Sequence, residues 1–495
     1  MIIEVEKYNE VYVRVYAEAA IALEIAEYFT YVVENRRFMP AYKSGRWDGK
    51  IRLYNIHTNR LYYGLLGMLQ LFAESHDYTI QYKDNLPELN NYETDIIEKF
   101  VEDLDVYSKG NKITVRDYQI DSLIHSLNNN RGVIESPTGS GKSLYIYTLI
   151  RWYIENNIKC IIIVPNTQLV EQLYNDFKDY SSNNGWNVDD NIQRIYYGYE
   201  KSNESNCIIS TFQSAVKLEK GWFKEFGTVL VDECHLAESK SITSILENLT
   251  NAKHRFGTTG TLKEAKTHLL TLQGLFGPIH KVTSTKKLMD SNTLATLNIK
   301  AMLLEYPLED CKSIKSYNYQ NELKWLISNT SRNLFITNLS LYTKGNTLVL
   351  FQFVESHGKK LYELIKSKSK DRIVYFIHGG IDVKKREEMI QTLTTNKNVI
   401  IVASYQTLST GINAPSIENI ILASPSKSKI RILQSIGRSL RLAENKSGAT
   451  IYDIGDNLKV GKKHFNFSLK HFIERIRLYS SEEFNYKLIT TKLPN

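Results

Sequence analysis

The rhythm of apolar and polar positions changes along the chain. From Val11 to Tyr16 the two kinds alternate, Val11-Tyr12-Val13-Arg14-Val15-Tyr16, which predicts a half-buried strand. A run with helical spacing follows from Glu18 to about Val33, and then short aromatic-rich segments. The polar stretch Asn85–Asn91, with Pro87 inside it, reads as a loop and marks a first boundary. From about residue 110 the apolar residues gather into short unbroken runs: Val133-Ile134, Ile161–Val164, Ile208-Ile209, Val229–Val231, Leu348–Phe351, Val399–Ala403 and Ile420–Ala423. Such runs suit strands buried on both faces of a parallel sheet, with helices supplied by the mixed segments between them. The expected class is α/β, with two such units at about 110–285 and 330–455 and a connector over 290–330. Near the C-terminus Leu469, Phe472, Ile473, Ile476 and Tyr479 share one helical face. Lys459, Lys462, Lys463, Lys470, Arg475 and Arg477 around it are expected to form a basic surface.

Composition narrows the class without naming a function. The 495 residues are 42% hydrophobic and 23% charged, which excludes disorder, collagen and a disulfide scaffold. Lys and Arg number 62 against 54 Asp and Glu, a net +8 that permits an anionic partner. The four cysteines are scattered with no CxxC pair, so neither a disulfide framework nor a zinc site is expected. The acidic start Met1–Glu6 is unlike a signal peptide, and no run reaches the ~20 apolar residues of a membrane span. A soluble, cytoplasmic protein without a membrane partner is expected.

The chemistry is concentrated in three places. Ser136-Pro137-Thr138-Gly139-Ser140-Gly141-Lys142-Ser143 follows the Val133-Ile134 run directly. A glycine-rich loop between strand and helix turns backbone N–H groups onto phosphate, and the helix N-terminus favours the negative charge. Lys142 would reach the β- and γ-phosphates and the Ser143 hydroxyl would bind Mg²⁺. About ninety residues later Val229-Leu230-Val231 runs into Asp232-Glu233-Cys234-His235. Asp232 is placed at Mg²⁺, and Glu233 is placed to orient or deprotonate the attacking water. Cys234 and His235 lack the partner pair that a metal site needs. Far downstream, Gln434, Arg438 and Arg441 lie at helical spacing, where cations could stabilise the charge of phosphoryl transfer.

In this order the residues resemble the motifs of superfamily 2 helicases over roughly 110–455. Arg116-Asp117-Tyr118-Gln119 is similar to the adenine-reading motif upstream of the phosphate loop, so Arg116 and Gln119 join Thr138, Gly139, Ser140, Gly141, Lys142 and Ser143 as expected ATP contacts. Val164–Leu169 resembles motif Ia, Ser210–Ser214 the next strand-end motif, and Gly257–Thr261 motif III. Leu348–Phe351 resembles motif IV and His378-Gly379-Gly380 the loop after it. Ser404–Asn413 resembles motif V, bringing Gly411 and Asn413 to the nucleotide, and 434–441 resembles motif VI. Ser136 stands where Gly or Ala is usual, and Asn413 where many relatives carry Asp. More narrowly, Trp47–Leu53, Asp232–Ala237, Lys427–Ile430 and the C-terminal Arg475-Ile476-Arg477 are similar to the UvsW-type recombination and branch-migration helicases of T-even bacteriophages. That resemblance implies a small N-terminal α/β domain at 1–92 and two RecA-like lobes, at 110–290 and 300–495, with ATP between them. It implies an ATP-dependent helicase, monomeric, in the host cytoplasm, acting on branched DNA (Holliday junctions, D-loops, stalled forks) and on RNA–DNA hybrids at R-loops. Single- and double-stranded DNA are both expected partners.

Pro165, Thr167, Gln168, Thr211, Gln213, His378, Gly379, Thr407 and Thr410 are the expected backbone contacts to nucleic acid. Their competing reading is local capping. A second surface is expected at 36–60, where seven basic residues (Arg36, Arg37, Lys43, Arg46, Lys50, Arg52, Arg60) face one acid, Asp48. Arg36, Arg37 and Arg46 are its leading contacts, while Trp47 and Phe38 are read first as core. Two other readings stand beside the helicase. One is a duplex translocase or remodeller that separates no strands. The other is a restriction-enzyme motor, whose nuclease would have to be Asp310 with Glu322-Leu323-Lys324, a common helical tripeptide.

Overall fold

A computed structural model describes residues 1–33, 36–196, 204–236, 240–260, 262, 266–405, 407, 417–425, 448–461 and 465–494. The chain divides into two compact units, Met1–Thr283 and Ser284–Asn495.

The first unit opens with a five-stranded sheet in the order Tyr54–Asn55, Arg60–Tyr62, Tyr12–Tyr16, Ile2–Lys7, Thr79–Tyr82. Alternation works as expected here: Ile3, Val5, Val13, Val15 and Leu61 point inward, under the helices Ala19–Tyr28 and Leu66–Ser75. The helix expected to reach Val33 stops at Tyr28. Thr30–Val32 instead pairs with Lys50–Arg52 as a small hairpin, because Thr30, Tyr31 and Val32 are β-branched or aromatic and suit a strand better than a helix.

This small domain is fastened to the sheet that follows it. The hydroxyls of Tyr12 and Tyr62 both donate to Glu247 Oε1 at 2.7 Å. The Arg131 guanidinium lies 3.7 Å from the centre of the Tyr63 ring and reaches Glu10. Leu270, from the helix Lys266–Phe276, joins the small domain's own core. At Gly64 a Cβ would stand 2.0 Å from the Gln273 carbonyl oxygen, so the two backbones meet there with no room for a side chain.

The sheet itself has seven strands, in the order Ile192–Ile195, Cys207–Thr211, Cys160–Val164, Thr228–Asp232, His254–Thr259, Arg131–Glu135, Ile279–Lys281. Every pairing is parallel. The four central strands are buried throughout, which is why the apolar runs in three of them, Cys160–Val164, Cys207–Thr211 and Thr228–Asp232, show no alternation. Helices cover the sheet, with Asp117–Asn129, Lys142–Glu155 and Thr167–Tyr180 closing the larger core and Lys240–Asn248 and Lys266–Phe276 the other.

The second unit holds another all-parallel seven-stranded sheet, ordered Val374–Ile377, Ile400–Ser404, Thr347–Phe351, Asn419–Leu422, Gly448–Asn457, Thr296–Glu305, Tyr486–Lys492. The stretch expected to be a connector over 290–330 therefore contributes a ten-residue strand and the helices Leu308–Ser313 and Tyr319–Ser328. Two carboxylates of the strand Gly448–Asn457 are buried with arginine partners. Asp456 takes Arg332 at 2.8 Å and the Tyr306 hydroxyl at 2.7 Å; Asp453 takes Arg475 and the Tyr479 hydroxyl, both at 2.8 Å. Arg475, expected on a basic surface, is thus an interior residue. Its helix, Phe467–Ser481, turns Arg475 toward the sheet on the same side as Phe472 and Tyr479. No described helix is long and apolar enough to cross a membrane.

Candidate functional site

Parallel register brings the ends of the strands to one edge of the first sheet. Asp232 is paired with Thr258, Glu135 with Thr259, and Val164 with Thr211. In open parallel sheets this C-terminal edge is where ligands bind. The phosphate loop leaves Glu135 there, and Ser136 N–H donates to the Thr259 carbonyl at 2.8 Å, extending the ladder by one bond. The loop then turns through Gly139 and Gly141, with φ +88° and +84°, values that a residue with a Cβ rarely adopts. Lys142 and Ser143 open the helix Lys142–Glu155. Ser136, the unusual residue at the loop's start, is buried, and its hydroxyl meets that of Ser140 at 2.5 Å.

Three charged groups converge on the loop. Lys142 Nζ lies 2.7 Å from Asp232 Oδ1 and 3.1 Å from Glu233 Oε1. Thr258 Oγ1 donates to Asp232 at 2.8 Å, and Glu233 N–H donates to the same oxygen at 2.9 Å. Burial by itself lowers the pKa of Lys142, but Asp232 and Glu233 outweigh it and hold the ammonium above its ordinary range. For Glu233 burial pushes upward, and Lys142 together with His235 reverses this and holds the carboxyl down to about 2. Glu233 also sits in the left-handed region, φ +54°, an uncommon backbone for glutamate that lets its side chain turn toward Lys142.

His235, read from the sequence only as an unpartnered metal ligand, has a place in this cluster. Its Nδ1 is 3.2 Å from Glu233 Oε2 and 3.0 Å from Thr259 Oγ1, so it ties the carboxylate to the end of the neighbouring strand. Cys234 is fully buried against Gly257, and burial pushes its thiol up. Tyr118 is the other residue that motif reading passed over. Its hydroxyl donates to the Ser140 carbonyl at 3.0 Å beside Gln119 Nε2, which donates to Ser140 O at 2.9 Å and Gly141 O at 3.3 Å. Gln119 Oε1 accepts from Arg116 N–H at 2.9 Å, while the exposed Arg116 guanidinium reaches the Tyr118 hydroxyl. The residues expected at adenine are thus braced against the loop that would hold the phosphates. A hydroxyl at Ser143 and carboxylates at Asp232 and Glu233 are hard oxygen donors of the kind Mg²⁺ takes in few numbers, completing its shell with phosphates and water.

The expected nucleic-acid contacts divide. Thr167 and Gln168 are exposed in the first turn of the helix Thr167–Tyr180, beside half-buried Pro165, and Gln213 is exposed. Thr211 is buried, and its hydroxyl accepts from Ser214 N–H at the turn Phe212–Ala215, the capping role that was its competing reading. Thr407 is likewise buried, its hydroxyl 2.6 Å from that of Ser404. Both hydroxyls are engaged within their own loops. His378 is half-buried, with Nδ1 accepting from Gly380 N–H, and Gly379 is exposed. Arg37 and Arg46 are exposed and Arg36 is half-buried. Phe38 is 76% exposed, contrary to its reading as core, while Trp47 is half-buried with Nε1 donating to the Lys50 carbonyl. Thr410, Gly411, Asn413, Gln434, Arg438 and Arg441 lie outside the described residues.

The nuclease reading fails on geometry. Glu322 is 3% exposed, and its carboxylate accepts from Phe467 N–H at 2.9 Å, Ser468 N–H at 2.7 Å and Asn466 Nδ2 at 3.0 Å. It is spent capping the helix Phe467–Ser481.

Residues 2–83 match the family described as DNA helicase UvsW, N-terminal; residues 86–264 match Type III restriction enzyme, res subunit; and residues 330–443 match the helicase conserved C-terminal domain. The chain is 35% identical over 510 residues to the ATP-dependent DNA helicase uvsW of Enterobacteria phage T4, covering all of both chains. It is 24% identical to the DNA 3'-5' translocase XPB2 of Sulfurisphaera tokodaii, over 73% of this chain and 86% of that one. The crystal structure of T4 UvsW superposes over the whole of both chains with TM-score 0.53 and 33% identity. A DNA-bound Type ISP restriction-modification enzyme, LlaBIII, shares the fold over 78% of this chain and 32% of that one, with TM-score 0.57 and 16% identity.

Proposed function

The chain belongs to the UvsW family of ATP-dependent superfamily 2 helicases, and from that premise we propose that it spends ATP to remodel branched DNA in phage recombination, repair and replication. The observation that carries the reading is the convergence of Lys142, Asp232 and Glu233 at the C-terminal edge of the first sheet. An incoming triphosphate competes with the two carboxylates for Lys142. Once the ammonium turns to the β- and γ-phosphates, Glu233 loses its strongest cation and becomes a better proton acceptor for the attacking water. His235 keeps that carboxylate oriented as Lys142 leaves. Mg²⁺, held by Ser143 and Asp232, would neutralise charge on the phosphates. Arg438 and Arg441, with Gln434 a turn before, are assigned the transition-state cations on their motif and spacing, and Gly411 and Asn413 a nucleotide contact.

Exposed Thr167, Gln168 and Gln213 at the same sheet edge suit a backbone grip that reads no sequence. Arg37 and Arg46 on the small domain add a second grip. Holliday junctions, D-loops, stalled forks and R-loops are the substrates proposed, met by a monomer in the host cytoplasm. The test compares ATP turnover with single-stranded DNA, duplex, four-way junction and RNA–DNA hybrid side by side, and follows strand displacement on a labelled fork. Stimulation should be greatest on the junction and accompanied by displacement. Equal stimulation by plain duplex with no displaced strand would replace the helicase with a translocase.

A further inference from the structure

The hairpin between Thr30–Val32 and Lys50–Arg52 carries a tip that the phosphate chemistry does not use. A 3₁₀ turn, Arg36–Phe38, leads through Met39 into the short helix Pro40–Lys43. At this tip Phe38 is 76% exposed and Met39 40%, with Pro40 exposed beside them. Two neighbouring large apolar side chains left on the surface and rimmed by cations suit a contact site. Cations surround the pair: Arg37, Lys43, Arg46 and Lys50 are all exposed.

The described residues of the tip are tied by backbone hydrogen bonds. Met39 N–H donates to the Arg36 carbonyl at 2.9 Å, Lys43 N–H to Met39 O at 3.0 Å, and Ser44 N–H to Pro40 O at 2.9 Å. The Arg36 side chain lies along Gly49, where a Cβ would come within 2.1 Å of Arg36 Cδ, and its guanidinium sits over the Tyr42 ring at 5.7 Å. Gly49 has φ +78°, so the return strand makes this close pass only with glycine. Val33 N–H donates to Gly49 O, Trp47 Nε1 to Lys50 O, and Leu53 N–H to Phe29 O, anchoring the hairpin to the core of the small domain.

We propose that Phe38 and Met39 form a wedge that enters the stacked bases at a DNA branch point, with Arg37, Lys43, Arg46 and Lys50 on the flanking phosphates. Apolar side chains of this kind, Phe, Met and Pro among them, insert between base steps and unstack them, while neighbouring cations supply the binding energy. Bases at a branch point are already partly unstacked, so the wedge finds its cheapest entry there. The small domain is fastened to the ATP-binding sheet through Glu247 and Gly64, so the wedge travels with the phosphate loop. The inference rests on the helicase reading for its role and on the exposed pair for its place.

The test uses the full chain and a fork or four-way junction carrying 2-aminopurine at the branch. Binding without ATP should raise the 2-aminopurine emission severalfold as the base unstacks. F38A/M39A should abolish that rise and lower the base pairs opened per ATP hydrolysed at least tenfold, and F38W should restore both. The double variant changes exposed side chains only, and circular dichroism checks its fold. Emission and base pairs per ATP within twofold of the unaltered chain would overturn the wedge, and would leave the tip to a protein partner. An unaltered chain that raises emission yet opens no fork would sink the helicase reading and leave the wedge standing.

Discussion

Replacing Glu322 by Ala separates a structural carboxylate from a nuclease one. Glu322 accepts from two backbone N–H groups and one amide at the start of a fifteen-residue helix, and it is almost fully buried. Alanine leaves the Phe467 and Ser468 N–H groups with no acceptor, and each unsatisfied buried donor costs about 1–3 kcal/mol. Loss of a negative charge at a helix N-terminus adds about 0.3–1 kcal/mol. Some water entry would offset part of this, so a total of about 3 kcal/mol is reasonable. For a unit of this size that lowers Tm by about 6–12 °C. The helix also brings Arg475 and Tyr479 to Asp453, so loosening its first turn propagates to the sheet. Thermal unfolding followed by circular dichroism measures the shift, and Glu322→Gln, which keeps one acceptor oxygen, should fall between. A Tm within 1 °C of the unaltered chain would refute the cap.

Lys142→Ala should abolish ATP turnover while nucleic-acid binding persists, and turnover equal to the unaltered chain would remove the phosphate assignment. Charge reversal at Arg37 and Arg46 should weaken junction binding and flatten its dependence on salt, read as the slope of log K against log salt concentration. Gly64→Val should drive a side chain into the Gln273 backbone and undock the small domain, seen as protease cleavage between the domain and residue 110; resistance equal to the unaltered chain would count against the docking. Burial holds the neutral form of His125, helped by His280 nearby, with a pKa near 4, and burial with Lys253 nearby brings His254 to about 3. An unfolded chain takes those protons near 6.5, so their contribution is complete above that value and is lost as pH falls toward 4. Tm should therefore drop between pH 7.5 and 5, and His125→Gln should shrink the drop.

The sequence made the phosphate loop and Asp232-Glu233 legible because each is a local signal, a glycine turn or a strand running into carboxylates. The buried strands built on unbroken apolar runs, such as Cys160–Val164, Thr228–Asp232, Thr347–Phe351 and Ile400–Ser404, were legible for the same reason, whereas the equally buried His254–Thr259 was not, because its polar and glycine residues break the run. Thr296–Glu305 was not, since its burial alternates along most of its length, Leu297 and Ile299 inward and Asn298 outward, so it lacks the unbroken run that marks its neighbours. Arg475 looked like surface because its partner, Asp453, is twenty-two positions away on a strand, and nothing local announces that pairing. For Thr211 and Thr407 the motif left two roles open, a contact to nucleic acid or a cap of their own loop, and their burial and loop hydrogen bonds could be seen only in the fold. His235 follows the same rule, since its value comes from Thr259 on a strand that adjoins it only in the fold.

The seam at Glu247 and Gly64 has a consequence for fragments of this chain. A product ending near Thr283 would keep the phosphate loop and the tip proposed as a wedge, welded into one piece. On the function proposed above, and without the arginines assigned to the reaction, it would occupy crossings unproductively and shut intact copies out. On that same proposal, a cell producing fragment and intact chain together would show the fragment's dominance in proportion to its excess.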